Sequence, residues 1–148
     1  MKGTSFKNLV LGFAAGAIAA ATVGELIKLG LYTHGYVQTP PWSVEPTDLL
    51  AMPQIVSDML WGGVWGAIFA LVLGNAPVGS MTVRGAILGI FGPAILGIFL
   101  LRPYFRGEAA LLGGDLTLLG SVLLIMAGFG AATAWLYGFM TAGFRVPD

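Results

Sequence analysis

The sequence predicts an all-α fold: an integral membrane bundle of four transmembrane helices, N-in/C-in. Three observations carry that prediction. Only 9% of the 148 residues are charged while 57% are apolar, whereas a soluble domain needs about 25% charged residues to keep its surface in water. Mean hydropathy is +0.87. The seven basic and seven acidic residues are spaced so that four long uncharged stretches remain between them.

The first stretch runs from Leu9 to Gly24 and resumes past Glu25 and Lys28 as far as Tyr32. The others run over residues 59–83, 85–101 and 116–144. A helix rises about 1.5 Å per residue and the hydrocarbon core is about 30 Å thick, so about 20 apolar residues span it. The third stretch is just long enough if Arg84 and Arg102 snorkel outward, and the fourth is long enough to tilt. A closed barrel needs strands of alternating polarity, and these runs are apolar on every face. The expected helices cover about 8–33, 54–74, 83–102 and 115–143, in one domain over 1–148 with an outer loop at 34–52.

Lys2 and Lys7 before an Ala-rich run imitate a secretory signal. The apolar run nevertheless continues past any Ala-x-Ala point into Leu26-Ile27-Lys28-Leu29, so it reads as an uncleaved first helix. In the outer loop, Pro40-Pro41 and Pro46 enforce an extended or turn-rich path. Pro53 suits the first turn of helix two, and Gly74 to Ser80 forms a short inner loop. Gly113-Gly114-Asp115 supplies a turn and an N-cap for helix four. Orientation follows from basic residues near helix ends. Lys2, Lys7, Arg84 and Arg145 fall on the inner side, and Arg102 and Arg106 on the outer side with Lys28 close to it. Glu45, Asp48, Asp58, Glu108 and Asp115 all fall outside. This topology makes the chain a multi-pass membrane protein.

Small residues mark the packing faces. Gly12 and Gly16, Gly62 and Gly66, and Gly85 and Gly89 form GxxxG pairs on three helices. Apolar side chains gain nothing by leaving lipid for one another, so close backbone approach is what associates membrane helices. These pairs serve internal packing or a partner interface, and internal packing is the simpler reading.

Glu25 and Lys28 share a face at i, i+3, within the apolar run. A charge at the bilayer centre costs about 2.5–3.5 kcal/mol on insertion scales, so such residues need a partner or a watery cavity. One reading joins them to Asp58 as a proton or ion site. The other is a self-compensated pair near the outer interface, which the position of Glu25, roughly 26 Å along the helix from Asn8, favours. Gly92-Pro93 at the middle of helix three predicts a structural kink.

Trp61, Trp65 and Phe69 recur every four residues and could hold a lipid, quinone or pigment, or simply pack. Trp42, Tyr32, Tyr36, Tyr104 and Phe105 read as the outer aromatic belt, and Trp135, Tyr137 and Phe144 as the inner one. His34, the lone imidazole, reads as a hydrogen-bonding group at the end of helix one. With no Cys and one His, disulfides, thiolate sites and multi-histidine metal sites are excluded. No covalent or metal cofactor is expected, and neither is a reaction. Balanced charge argues against nucleic acid.

The chain resembles a group of small, uncharacterised bacterial inner-membrane proteins with four helices. The matching residues are the Ala/Gly-rich first helix, Pro40-Pro41-Trp42-Ser43 with Pro46, and Met52-Pro53-Gln54 leading into Trp61-Gly62-Gly63-Val64-Trp65-Gly66. More loosely, it is similar to YagU-like proteins through the first helix and the Pro-rich loop. The resemblance implies topology and location, and no catalytic residues. The expected role is an accessory or structural subunit of a larger membrane complex, respiratory or photosynthetic, with other membrane subunits and lipids as partners. The alternatives are a small oligomeric transporter using Glu25, Lys28 and Asp58, and a lipid- or quinone-binding module using Trp61, Trp65 and Phe69.

Overall fold

A computed structural model describes residues 6–47, 50–74, 81–101 and 114–141. The described elements are all helical, apart from an isolated bridge between Pro46 and Pro53. Helix α1 spans Phe6–Thr33, α2 spans Gln54–Leu73 and α4 spans Leu116–Thr141. All three are long and apolar enough to cross a membrane. Helix α3 begins as Met81–Gly89 and continues in a wider register over Ile90–Leu101. Its apolar part, Met81–Gly97, is shorter than the other three. The expected ranges of about 8–33, 54–74, 83–102 and 115–143 stand beside these described spans, which at 6, 81, 101 and 141 end where the described residues end. The expectations that rest on Lys2, Asp48, residues 75–80, Arg102 to Gly113 and Phe144 to Asp148 lie outside the described residues, and so do Tyr104 and Phe105.

Three of the described helix ends have a local cause. Helix α1 stops in a Schellman motif, with Gly35 at φ 77°. There the Tyr36 N–H donates to the Leu31 carbonyl (2.9 Å) and the Gly35 N–H to that of Tyr32 (3.0 Å). His34 joins this end as expected, with Nδ1 2.8 Å from the Gly30 carbonyl and its ring stacked on Tyr36. Pro53 stands one position earlier than expected, at the N-cap of α2 with ψ 142° and no side-chain cap. The Asp115 carboxylate accepts the Leu118 N–H (3.1 Å), which is the expected N-cap of α4.

At Gly92-Pro93 the sequence predicts a kink, and there the helix takes a wider register. Pro93 lies inside a twelve-residue π-helical stretch, Ile90–Leu101. In an α-helix its ring would collide with the carbonyl four residues earlier. The π register moves each bond to the fifth residue and opens the turn that must admit the ring.

The four helices form two tight hairpins. Gly12 faces Gly66 and Gly16 faces Gly62, so α1 and α2 run antiparallel with their backbones in contact. A methyl group at Gly12 would lie 2.7 Å from Ala70 Cβ, and one at Gly66 would lie 2.9 Å from Gly16 Cα. Gly85 and Gly89 are used in the same way against Gly130 and the Met126 carbonyl of α4. All three GxxxG pairs are thus internal, and α4 supplies a counterpart that carries only one glycine.

Helices α1 and α4 join the hairpins along their length. Between α2 and α3, large aromatic groups fill the gap. Trp65 lies over Gly92 and Gly97, while buried Phe69 meets Phe129 at 6.2 Å between ring centroids. At the end opposite Lys28, buried Tyr137 donates its hydroxyl to the Gly74 carbonyl (2.7 Å) and packs with Ala15, Ala70 and Met81. Tyr137 therefore ties hairpin to hairpin and is not a belt residue, while its neighbour Trp135 stacks on Phe139.

Candidate functional site

Three ionisable residues of the apolar helices, Glu25, Lys28 and Asp58, meet at one end of the first hairpin. Up to Ala19, the buried residues of α1 are Asn8, Gly12, Ala15, Gly16 and Ala19, a stripe with helical steps of three and four. Continued in α register, that stripe would next reach residues 22–23 and 26. Thr22 and Leu26 are exposed instead, and Gly24 and Glu25 are buried. A π turn over Ala20–Gly24 causes the shift, because each extra residue in a turn rotates the remainder of the helix by about 100°. The Thr22 hydroxyl donates to the Ile18 carbonyl (2.7 Å) at the same place, a back-bond that bends helices.

Glu25 is thereby turned into the α1–α2 interface, where it is 2% exposed. Lys28 Nζ lies 3.0 Å from Glu25 Oε1 and 3.4 Å from Asp58 Oδ2. The Gln54 amide, one turn before Asp58, donates to Asp58 Oδ1 (2.7 Å). The second Glu25 oxygen accepts the backbone N–H of Trp42 (2.7 Å). Every carboxylate oxygen of the pair thus has a donor. Among the described residues no buried side-chain nitrogen or oxygen lacks a partner.

Trp42 belongs to a segment that crosses the ends of α1 and α2. Its indole N–H donates to the Ala21 carbonyl (2.8 Å), inside the π turn. The Ser43 and Glu45 carbonyls accept the first-turn N–H groups of Ile55 and Gln54, each at 2.9 Å. Those amides are the donors that a helix start leaves without intrahelical partners, so the segment does the capping that Pro53 cannot.

The sequence-predicted residues fall into three groups. Glu25, Lys28 and Asp58 come together as the ion-site reading requires, and Lys28 is shared between the two acids. The six glycines lie at helix contacts. The aromatic stripe splits: Trp61 is exposed, Trp65 packs on α3 and Phe69 is core. Sequence reasoning missed Trp42 and Gln54 as members of the cluster. Gln54 carries a local signal, its i, i+4 spacing to Asp58, whereas Trp42 acts through a backbone N–H seventeen residues away from Glu25.

Chemically, two carboxylates flank one ammonium, with no nucleophile activated by a base. Among the described residues, no group of three or more His, Asp or Glu could hold a metal ion. Two apolar grooves run along the α1–α4 seam, of ≈ 410 Å³ beside Ile27, His34 and Leu124, and ≈ 450 Å³ beside Thr22, Gly128 and Trp135. Compared with protein families, with characterised proteins and with solved structures, the chain matches none, so the resemblance drawn from its loop and second helix stays a reading of the sequence.

Proposed function

We propose that the protein is a non-enzymatic accessory or structural subunit of a larger membrane complex, seated as a multi-pass protein in a bacterial inner membrane. One observation carries this reading: Glu25, Lys28 and Asp58, the ionisable side chains at the covered end of the first hairpin, are engaged with one another. Glu25 gives one oxygen to Lys28 and one to Trp42, and Asp58 is held by Lys28 and Gln54. A group committed in this way braces a fold and leaves nothing aimed at a substrate.

With the glycine faces used internally, the partner face is the outward ridge of α2. Leu60, Trp61, Val64, Ile68, Leu71 and Val72 are all exposed along it. An N-in/C-in orientation accords with the described charges. Lys7 and Arg84 lie at the Tyr137 end, and Glu25, Lys28, Glu45, Asp58 and Asp115 at the other. Purification from the native membrane in mild detergent, followed by native gels and mass spectrometry, tests the role. Stoichiometric migration with one large complex is the expected result, and a lone monomer or homo-oligomer would overturn it.

A second reading, a small oligomeric transporter, is favoured by the meeting of Glu25, Lys28 and Asp58 from two helices, since intramembrane ionisable residues mark ion pathways. Flux in proteoliposomes that is unchanged by Glu25→Gln with Lys28→Met would remove it.

A further inference from the structure

We propose that residues 40–47 form a latched strap, fastened by Trp42, whose release opens the Glu25–Lys28–Asp58 cluster to water. Its attachment is polar. Trp42 donates its backbone N–H to Glu25 Oε2 and its indole N–H to the Ala21 carbonyl, and the Ser43 and Glu45 carbonyls accept from the start of α2. The apolar backing is confined to part of the Trp42 ring, since Trp42 is 42% exposed and Val44 73%. A segment held by hydrogen bonds over little burial belongs to the low end of the local-opening scale.

The fastening residue is also held against its preference. Trp42 has φ 49°, in the left-handed region that bulky side chains rarely occupy unless their surroundings impose it. Here the imposing groups are Glu25 and Ala21 on one helix. Glu25 is the shared element: one oxygen serves the strap and the other serves Lys28. Undocking the strap uncovers a carboxylate oxygen that has lost its donor, and water is the group that replaces the donor. The device operates identically whether the protein works in a complex or alone.

The test uses the whole chain in detergent micelles. Amide hydrogen exchange of residues 40–47 is followed by mass spectrometry, alongside acylation of Lys28 by a sulfonated succinimidyl ester. Exposed Lys7 serves as the internal reference. In the unmodified protein both readouts are expected to be slow. Trp42→Ala removes the indole bond and leaves Glu25, Lys28 and Asp58 in place. Exchange at 40–47 and acylation of Lys28 are expected to rise together, by about tenfold or more, with residues 129–134 of α4 unmoved. Glu25→Gln keeps an acceptor for the Trp42 N–H, and its exchange should fall between the two.

Three results would overturn the proposal: exchange at 40–47 already as fast as in an unstructured peptide, no change on Trp42→Ala, or freed amides with Lys28 acylation unchanged. Should Trp42→Ala also loosen residues 129–134, Trp42→Phe decides on the same readouts, because it keeps a ring and deletes only the indole donor.

Discussion

The two hairpins close by the same device and differ in everything around it. In the α1–α2 hairpin, Gly12 and Gly16 meet Gly66 and Gly62; in the α3–α4 hairpin, Gly85 and Gly89 meet Gly130 and Met126. The first adds an ionic cluster and a strap at one end. The second has neither among the described residues, and its buried serine and threonine hydroxyls turn back on their own helix. Thr133 donates to the Phe129 carbonyl (2.7 Å) and Ser121 to that of Thr117 (2.8 Å). Small-residue contact supplies association in both hairpins. Among the described residues an ionic cluster is added only where a loop must also be placed, so it reads as a device for fixing one end of one hairpin.

The sharpest way to break this comparison is to fill the shared contact. Gly66→Leu places a side chain where the Gly12 carbonyl and Gly16 Cα already lie, and Gly130→Leu does the same against Gly85 and Gly89. Neither neighbour is a flexible side-chain tip, so backbones must part. Each substitution is expected to lower stability by about 3 kcal/mol or more, at or beyond the upper end of overpacking effects. Gly120→Leu, with nothing within 4 Å of where its Cβ would sit, is the control. Unfolding titrations in denaturing detergent measure all three. Unequal losses for Gly66→Leu and Gly130→Leu would show that the hairpins do not close by one device.

The next largest effect separates the hairpins. Lys28→Met leaves the buried Glu25 carboxylate without its cation while the second hairpin is untouched. Breaking a buried pair from one side costs about 3–5 kcal/mol, and Lys28, 16% exposed at its side chain, should fall at the low end of that range. Adding Glu25→Gln should recover most of the loss, because residues of one network are not additive. The same titration checks both variants. A neutral Lys28→Met would mean that Glu25 is already hydrated, and the first hairpin would then need no ionic brace.

These contrasts also show how far the sequence could be read. Four helices and their ends were legible because charges bound the apolar runs, and the GxxxG pairs because a spacing of four survives in any helix. The fourth partner was harder to see. Gly130 and Ala134 are also four apart and pack on Gly85, a small-xxx-small pattern rather than two glycines. The π turn at Ala20–Gly24 left only Thr22 as a trace, yet it decides that Glu25 faces inward. The stripe of Trp61, Trp65 and Phe69 misled for a geometric reason. Residues four apart drift by about 40°, so over two steps the row turns from the outside of α2 into the core. Trp42 was out of reach, since its backbone amide has no sequence signature.

A smaller effect probes the join between the hairpins. Tyr137→Phe deletes the hydroxyl that donates to the Gly74 carbonyl at 2.7 Å and keeps the ring among Ala15, Ala70 and Met81. A loss of about 1 kcal/mol is expected, the usual net worth of such a bond. Hydrogen exchange should rise at the last turn of α2 and leave the strap at residues 40–47 unchanged, because the two lie at opposite ends of the hairpin. A rise at both ends would mean that α2 moves as one rigid piece.

The smallest expected effect is on stability and the most informative is on assembly, and one residue carries both. Trp61 is 53% exposed on the outward ridge of α2, whereas Trp65, one turn later, lies 3.2 Å from where a methyl group on Gly92 would sit. Trp65→Ala opens a gap between the hairpins and should cost about 3 kcal/mol, as large aromatic truncations do. Trp61→Ala should cost far less, about 1 kcal/mol or below, because more than half of its surface faces outward. On native gels of mild-detergent extracts, however, Trp61→Ala should weaken retention of the partner that the accessory role requires, and Trp65→Ala should do so only in proportion to unfolding. Equal stability losses for the two tryptophans would place a second copy of the chain against α2, because a ridge that faces detergent alone has no packing to lose.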